Sequence, residues 1–413
     1  MKKIALTIII VVILCINITN TSGKNNFTTN KNLLNNSNFS KENISFSLKM
    51  RLAMHLAHMK SVSACIIKNN TIVWSGNFGL SDRLTCEKPT INTNYMAGSI
   101  SKVVTAAAIM KLYENESVDF DLDDNVSEWL PFDIKNPNYP DVNVTFRMLL
   151  AHQSSIMGHG ISEVQYLFSN NKSSFLEQIL MPYGKQYHPD YWGDYPPGKG
   201  ANYSNMGFIL LGYIIEQMTN QSFEDYTYNN ILKPLEMYNS SFNLSNIDKE
   251  NLATPYLWLG GVYLRAPKTD FTFIDPAGGL YTTVEDLSHL LIMHLNSGVF
   301  NGKRILKNST IEEMHKIQYP NANLCMGFRF GLGWLFKPDK NDNPYLQGHG
   351  GDLICFHAKM WSKISDNTSI IYFQNSASFI VSRFIFFPLT STIITRFGGR
   401  QVQKLLFEKA DQI

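Results

Sequence analysis

Ser99-Ile100-Ser101-Lys102 sets a hydroxyl and an amine three residues apart. On a helix, positions i and i+3 share a face, so the Ser99 Oγ and the Lys102 amine can meet. At the buried start of a helix a lysine loses hydration and its pKa falls. A neutral amine can then take the serine proton. Lowering a lysine from about 10.4 to about 7–8 costs roughly 1.4 kcal/mol per unit, a load that a rigid site can carry. The positive end of the helix dipole also favours an alkoxide at Ser99. The same residues fit a plain helix cap followed by a solvated charge. Context separates the two readings. Ala97-Gly98 precedes the serine, and a long apolar stretch runs from the lysine to Leu112. The second copy of the pattern, Ser169-Asn170-Asn171-Lys172, lies in a polar run with nothing to desolvate its lysine.

Two further segments carry suitable groups. In Tyr203-Ser204-Asn205, an extended backbone points residues i and i+2 the same way. The phenol can relay a proton, and the Asn205 amide can orient Lys102 and a substrate. A loop tyrosine bonded locally is the alternative. Pro197-Gly198 before the triplet and the apolar run Met206 to Met218 after it distinguish this copy from other Tyr-x-Asn triplets. In Gly348-His349-Gly350-Gly351-Asp352, glycines such as Gly351 let backbone approach a substrate closely. A strand edge there would offer the Asp352 N–H, with the Ser99 N–H, to an oxyanion. His349 would add a positive or hydrogen-bonding group. A simple glycine turn with an exposed histidine is the competing reading. His55-Leu56-Ala57-His58 lacks the glutamate and spacing of a zinc-protease helix. Neither a Gly-x-Ser-x-Gly elbow nor a phosphate-cradling glycine loop is present.

The elements that must position these groups follow from periodicity. Phe46 to Met59 carries apolar residues at helical spacing. Val62 to Lys68 and Thr71 to Phe78 are β-favouring runs around Asn69-Asn70, a hairpin signal. Ser99 to Leu112 reads as a buried helix. Residues 113–250 alternate helical patches with Pro, Gly and Asn loops, as an inserted, mainly helical region. A helix from about Val284 to Ser297 follows Gly278-Gly279-Leu280. Gly331 to Phe336, Cys355 to Trp361 and Thr368 to Gln374 read as strands. The sheet therefore draws on both ends of the chain, which implies an antiparallel α+β fold flanked by helices. The apolar, aromatic tail Phe379 to Phe397, interrupted by Arg383 and Pro388, reads as a closing helix on that sheet.

The 413 residues, 44% hydrophobic and 17% charged, indicate a large packed globule. With 36 basic and 34 acidic residues and a net charge of +2, no basic face for nucleic acid is expected. Met1-Lys2-Lys3 followed by Ile4 to Ile16 fits a secretory signal, with cleavage after Gly23, better than a membrane span. An uncleaved anchor is the alternative, and only then is membrane contact expected. The expected organisation is thus a signal peptide or anchor over 1–23, a polar linker over 24–45, one domain over 46–380 and a C-terminal extension or closing helix over 381–413. Export permits disulfides, and Cys65, Cys86, Cys325 and Cys355 can pair in three ways or remain buried thiols. Asn69, Asn115 and Asn367 head glycosylation triplets, so a secreted or extracytoplasmic glycoprotein is expected.

Taken in order, these segments resemble the serine beta-lactamase and penicillin-binding-protein superfamily. Tyr95 to Lys102 is similar to the nucleophile segment, and Tyr203-Ser204-Asn205 with its flanks to the second motif. Phe146 to Ser155, Pro276 to Leu287, Gly331-Leu332-Gly333-Trp334 and Gly348 to Gly351 also resemble family segments. The resemblance spans roughly residues 46 to 380 and looks closest to the class C and DD-peptidase-like branch, which includes esterases and aminopeptidases. It implies an acyl-enzyme on Ser99, proton transfer by Lys102 and Tyr203, a small-molecule or peptide substrate, and no metal or cofactor. Gly350 stands where many members carry a hydroxyl residue that holds a substrate carboxylate. Losing that hydrogen bond weakens such binding by about 1.5–3 kcal/mol. An esterase or peptidase is therefore expected ahead of a true beta-lactamase or DD-peptidase. A non-enzymatic binding or assembly protein on the same fold is the third reading.

Overall fold

The computed structural model describes residues 45–157, 172–259, 261–268, 274–322, 324–353, 355–379 and 388–413. Apart from Ser45, all of them lie in the unit Phe46–Ile413. The expected signal and, but for Ser45, the expected linker lie outside these residues, as do Ser169 to Asn171. Helix α1 (Phe46–Leu56) leads into the hairpin β1 (Ser61–Lys68) and β2 (Thr71–Gly79). Asn69 and Asn70 close it with φ of 48° and 59°, the left-handed pair that a tight hairpin turn requires. After β3 (Tyr95–Met96) the described residues form helices and loops: α2 (Ser101–Tyr113), α3 (Phe146–Leu150), α4 (Lys172–Leu180), α5 (Asn205–Thr219) and α6 (Phe223–Thr227). Next are β4 (Tyr256–Leu259), β5 (Val262–Arg265), α7 (Asp275–Gly278), β6 (Tyr281–Thr282), α8 (Val284–Leu295), β7 (Val299–Phe300), β8 (Lys303–Arg304) and α9 (Asn308–Met314). The chain closes with β9 (Arg329–Phe330), β10 (Leu335–Pro338), β11 (Pro344–Leu353), β12 (Phe356–Lys363), β13 (Ser369–Gln374), β14 (Ser376–Phe379) and α10 (Pro388–Ala410).

Seven strands form the main sheet in the order β2-β1-β13-β12-β11-β10-β9. Every pairing in it is antiparallel. Both faces are covered, and β1 is accordingly buried along almost its whole length. Val62, Ala64 and Ile66 meet α1 and α10 through Met50, Met54, Val402 and Leu406. Cys65 and Ile67 face the other way, into the core built by α2, α5 and α8. Edge strand β2 instead alternates exposed and half-buried residues, the mark of one solvated face. The fold is α+β, with an antiparallel sheet flanked by helices.

One expected strand is corrected. Gly331 to Phe336 is not continuous, because Gly333 turns the chain with φ of 74° between β9 and β10. A Cβ at Gly333 would lie 2.4 Å from the Ala106 Cβ, so this turn packs on α2, the helix that carries the lysine. Among the described residues, Cys65, Cys86, Cys325 and Cys355 are free thiols, with Cys65 and Cys355 buried. No helix among the described residues is long and apolar enough to cross a membrane.

Among the described residues, His152, His294 and His349 are buried, and His315 is partly buried against His294. His294 Nδ1 and His315 Nε2 are 3.2 Å apart, and both rings pack on Trp334. Burial pushes His315 down to about 4, and burial with the neighbouring His315 pushes His294 well below its ordinary value. The unfolded chain binds these protons near pH 6.5 and the folded chain does not. Their stabilisation is complete above that pH and is lost as pH falls toward the folded values, at about 1.4 kcal/mol per pH unit for each histidine. Thermal denaturation is therefore expected to show a steadily falling Tm from pH 7 to pH 5, with a shallower slope in His315→Phe. A flat profile over that range contradicts the assignment.

Candidate active site

β3 delivers the chain to Ala97, whose N–H donates to Leu280 O at 2.8 Å. Gly98 then turns with φ of 53° into a single 3₁₀ turn, Gly98–Ile100, ahead of α2. Ser99 sits half-buried in that turn. Ser101, the middle hydroxyl of the motif, is structural. It donates to Gly98 O at 2.7 Å and accepts from the Leu280 N–H at 3.0 Å, clamping the turn to the segment before β6.

Lys102 is fully buried on the first turn of α2. Its Nζ lies 3.2 Å from Ser99 Oγ, 2.7 Å from Asn205 Oδ1 and 2.6 Å from Ala277 O. Once Lys102 has given up its charge, the amine keeps two hydrogens for the amide and the carbonyl, and its lone pair faces the serine hydroxyl. The carbonyl is held in turn, because Thr105 Oγ1 donates to the adjacent Pro276 O at 2.7 Å.

Tyr203 and Asn205 arrive from the start of α5. Ser204 caps that helix by accepting from the Gly207 N–H at 3.0 Å. Its own N–H donates to His152 Nδ1 at 3.1 Å. His152 also lies under the phenol, its ring 4.4 Å from that of Tyr203. The face of Tyr203 is 4.9 Å from Lys102 Nζ, so residues 203 and 205 both reach the lysine. His152 takes φ of 56° to lie there, and burial with the Lys102 charge pushes it well below its ordinary value. As a neutral ring accepting at Nδ1, it carries its proton on Nε2.

β11 supplies the opposite wall. A Cβ at Gly98 would lie 3.0 Å from Asp352 N, and one at Gly351 would lie 3.2 Å from Ser99 N. The Ser99 and Asp352 backbone amides therefore sit at one edge, with Gly351 backbone against Ala97. His349 is 1% exposed, its ring 6.1 Å from that of Tyr203. Of the two roles expected for His349, a positive or a hydrogen-bonding group, its surroundings favour the second. Burial and the Lys102 charge push it down to about 3, so the ring is neutral. Its Nδ1 donates to Gly350 O at 2.7 Å, leaving Nε2 as a buried acceptor without a hydrogen-bond partner.

Ser99, Lys102, Tyr203, Asn205, His349, Gly351 and Asp352 thus converge in one cleft. Three contributors were not singled out from the sequence: His152, the Ala277 carbonyl and Lys359. Lys359 pairs with Gly350 across the sheet, and its Nζ lies 2.6 Å from where a Gly350 Cβ would stand. It also lies 3.5 Å from the Asp352 carboxylate. Among the described residues, no group of three His, Cys, Asp or Glu side chains is placed to hold a metal ion.

The sequence matches the Beta-lactamase family model over residues 50–384. Protein flp of Staphylococcus aureus is 28% identical over 356 residues, covering 86% of this chain and 67% of its own length. The Dictyostelium discoideum beta-lactamase-like protein 1 is 26% identical, covering 74% of this chain and 61% of its own length. Among solved structures, the octameric penicillin-binding protein homologue from Pyrococcus abyssi superposes with a TM-score of 0.65 at 27% identity, over 80% of this chain and 73% of that one. The D-amino acid amidase from Ochrobactrum anthropi gives 0.67 at 18% identity, over 89% and 99%, a likeness of fold. With a family model spanning most of its length and an antiparallel α+β fold to match, this chain belongs to the Beta-lactamase family.

Proposed function

We propose that the protein is a serine hydrolase that cleaves an ester or amide, of the esterase or peptidase type, through an acyl-enzyme on Ser99. The observation that carries this reading is the fully buried Lys102 Nζ, 3.2 Å from Ser99 Oγ and fixed by Asn205 and Ala277. Lys102 takes the hydroxyl proton as Oγ bonds to the substrate carbonyl carbon. The carbonyl π pair moves onto oxygen, where the Ser99 and Asp352 N–H groups receive the negative charge. The tetrahedral carbon then expels the leaving group, which takes a proton relayed from Lys102 through Tyr203. Water attacks the acyl ester as Lys102 takes its proton, and the tetrahedral carbon then expels Ser99 Oγ, which recovers that proton from Lys102 as the acid is released. The N-terminal apolar run supports export as part of this reading.

A true beta-lactamase or DD-peptidase is the second reading. Gly350 brings no hydroxyl to the cleft, which weighs against it, whereas the Lys359 ammonium beside Gly350 offers an anionic substrate a partner. A fluorophosphonate probe is expected to label Ser99, as read by peptide mapping, and to leave Ser99→Ala unlabelled. Fluorescent penicillin on Ser99 would favour the second reading. A folded protein labelled by neither probe would replace both with a non-enzymatic binding role.

A further inference from the structure

Beside the cleft lies a cavity of about 150 Å³ with Met96, Tyr281, Leu353, Cys355 and Phe356 in its wall and Lys268 at its rim. Three features tie it to the chemistry. Met96 pairs with Tyr281 and stands three residues before Ser99. Leu353 directly follows Asp352, whose N–H faces the nucleophile turn. The Leu353 Cδ1 also lies 3.7 Å from the site of a Gly278 Cβ, next to the carbonyl that holds Lys102. The wall is apolar in character. Met96 and Tyr281 are 1% exposed, and Cys355 is a buried free thiol. The Lys268 ammonium is turned away, donating to Lys249 O at 2.9 Å.

Resting on the serine-hydrolase reading, we infer that this cavity binds the acyl side of the substrate and selects an apolar group of about six carbon atoms. An apolar cavity of about 150 Å³ stays dry and takes a benzene-sized guest in a well-studied engineered protein. The side of the scissile bond follows from where the proton carriers stand. Tyr203, the proton relay, and His152 beneath it form the wall that faces β11, and neither lines the cavity. The leaving group departs toward that wall, where it collects its proton. The acyl group then points past Asp352 toward Leu353.

Two measurements test this with the whole protein. The first is kcat/KM for p-nitrophenyl acetate, butyrate, hexanoate, phenylacetate and dodecanoate. Hexanoate and phenylacetate are expected to exceed acetate by about 100-fold, the return on burying roughly four more carbon atoms, with dodecanoate falling back. In Cys355→Phe, which fills the cavity, the hexanoate advantage disappears while acetate turnover stays near wild type. Leu353→Ala, which enlarges the cavity, moves the optimum to longer chains and covers the case in which the filled variant does not fold. Acetate turnover with a flat chain-length profile, or an unchanged preference in both variants, overturns the inference. The second measurement is binding of 1-hexanol to Ser99→Ala, followed by calorimetry, which needs no catalysis. Binding that is lost on adding Cys355→Phe supports the pocket even if no ester is cleaved and the hydrolase reading falls. No binding overturns the pocket.

Discussion

Lys102→Met is expected to lower kcat/KM by about 100- to 10,000-fold, the usual contribution of a positioned acid–base group, while the protein still folds. Methionine matches the aliphatic stem of lysine and removes the amine that lies 3.2 Å from Ser99 Oγ. Two opposing terms govern its stability. Asn205 Oδ1 and Ala277 O each lose a hydrogen bond, at about 1–3 kcal/mol apiece. Against this, a nitrogen that is costly to desolvate leaves a fully buried position. The Tm should therefore move by only a few degrees. Lys102→Arg is the sharper test. A guanidinium keeps the positive charge but cannot give up its proton, so it should fail as completely as methionine. Steady-state kinetics on an activated ester, with a thermal melt of each variant, checks both. Substantial activity in the arginine variant would remove Lys102 from the role of base.

Gly351→Ala should be nearly as damaging to turnover, for a steric reason. The added carbon would lie 1.7 Å from Ala97 O, well inside van der Waals contact. The β11 edge and the nucleophile turn must then separate by roughly an ångström, carrying the Asp352 and Ser99 amides apart. A displacement of that size costs about 100-fold in kcat, and the overpacking costs about 1–3 kcal/mol of stability. The neighbouring Gly350→Ala makes the control. There the added carbon meets only the flexible tip of Lys359, which can move aside. Its kcat should stay within a few-fold of wild type. Equal kcat in the two variants would show that the 351 backbone does not set the oxyanion geometry.

Much of this arrangement was legible because periodic and turn signals were strong. Asn69-Asn70 between two β runs fixed the β1–β2 hairpin, and the apolar stretch after Lys102 fixed α2. The Ser-x-x-Lys spacing placed the two groups within reach because one helical turn allows little else. What stayed hidden depends on tertiary contacts. Gly348 to Gly351 allows a strand edge or a glycine turn, and only the pairing of β12 along it decides for the strand, which runs to ten residues. Which of its two expected roles His349 takes was not readable, because its 1% exposure is set by elements distant in sequence. His152 reaches Tyr203 through a left-handed backbone. Nothing in the alternation of apolar and polar residues foreshadows that conformation. The Ala277 carbonyl has no side-chain signature at all, and Lys359 is linked to Gly350 only by the register of two strands.

The main sheet carries a consequence for synthesis. β1 lies between β2 and β13, and the Ser61 N–H donates to the side chain of Asn375, 314 positions later. That asparagine also donates to Ser81 O and Thr254 O, joining three distant stretches. A growing chain therefore presents the apolar β1–β2 hairpin and the nucleophile helix long before their covering strand exists. Contacts of such separation close slowly and leave strand edges open to wrong pairings. The nascent protein should hold chaperones until its last strands leave the ribosome, and the cleft should become competent only after that.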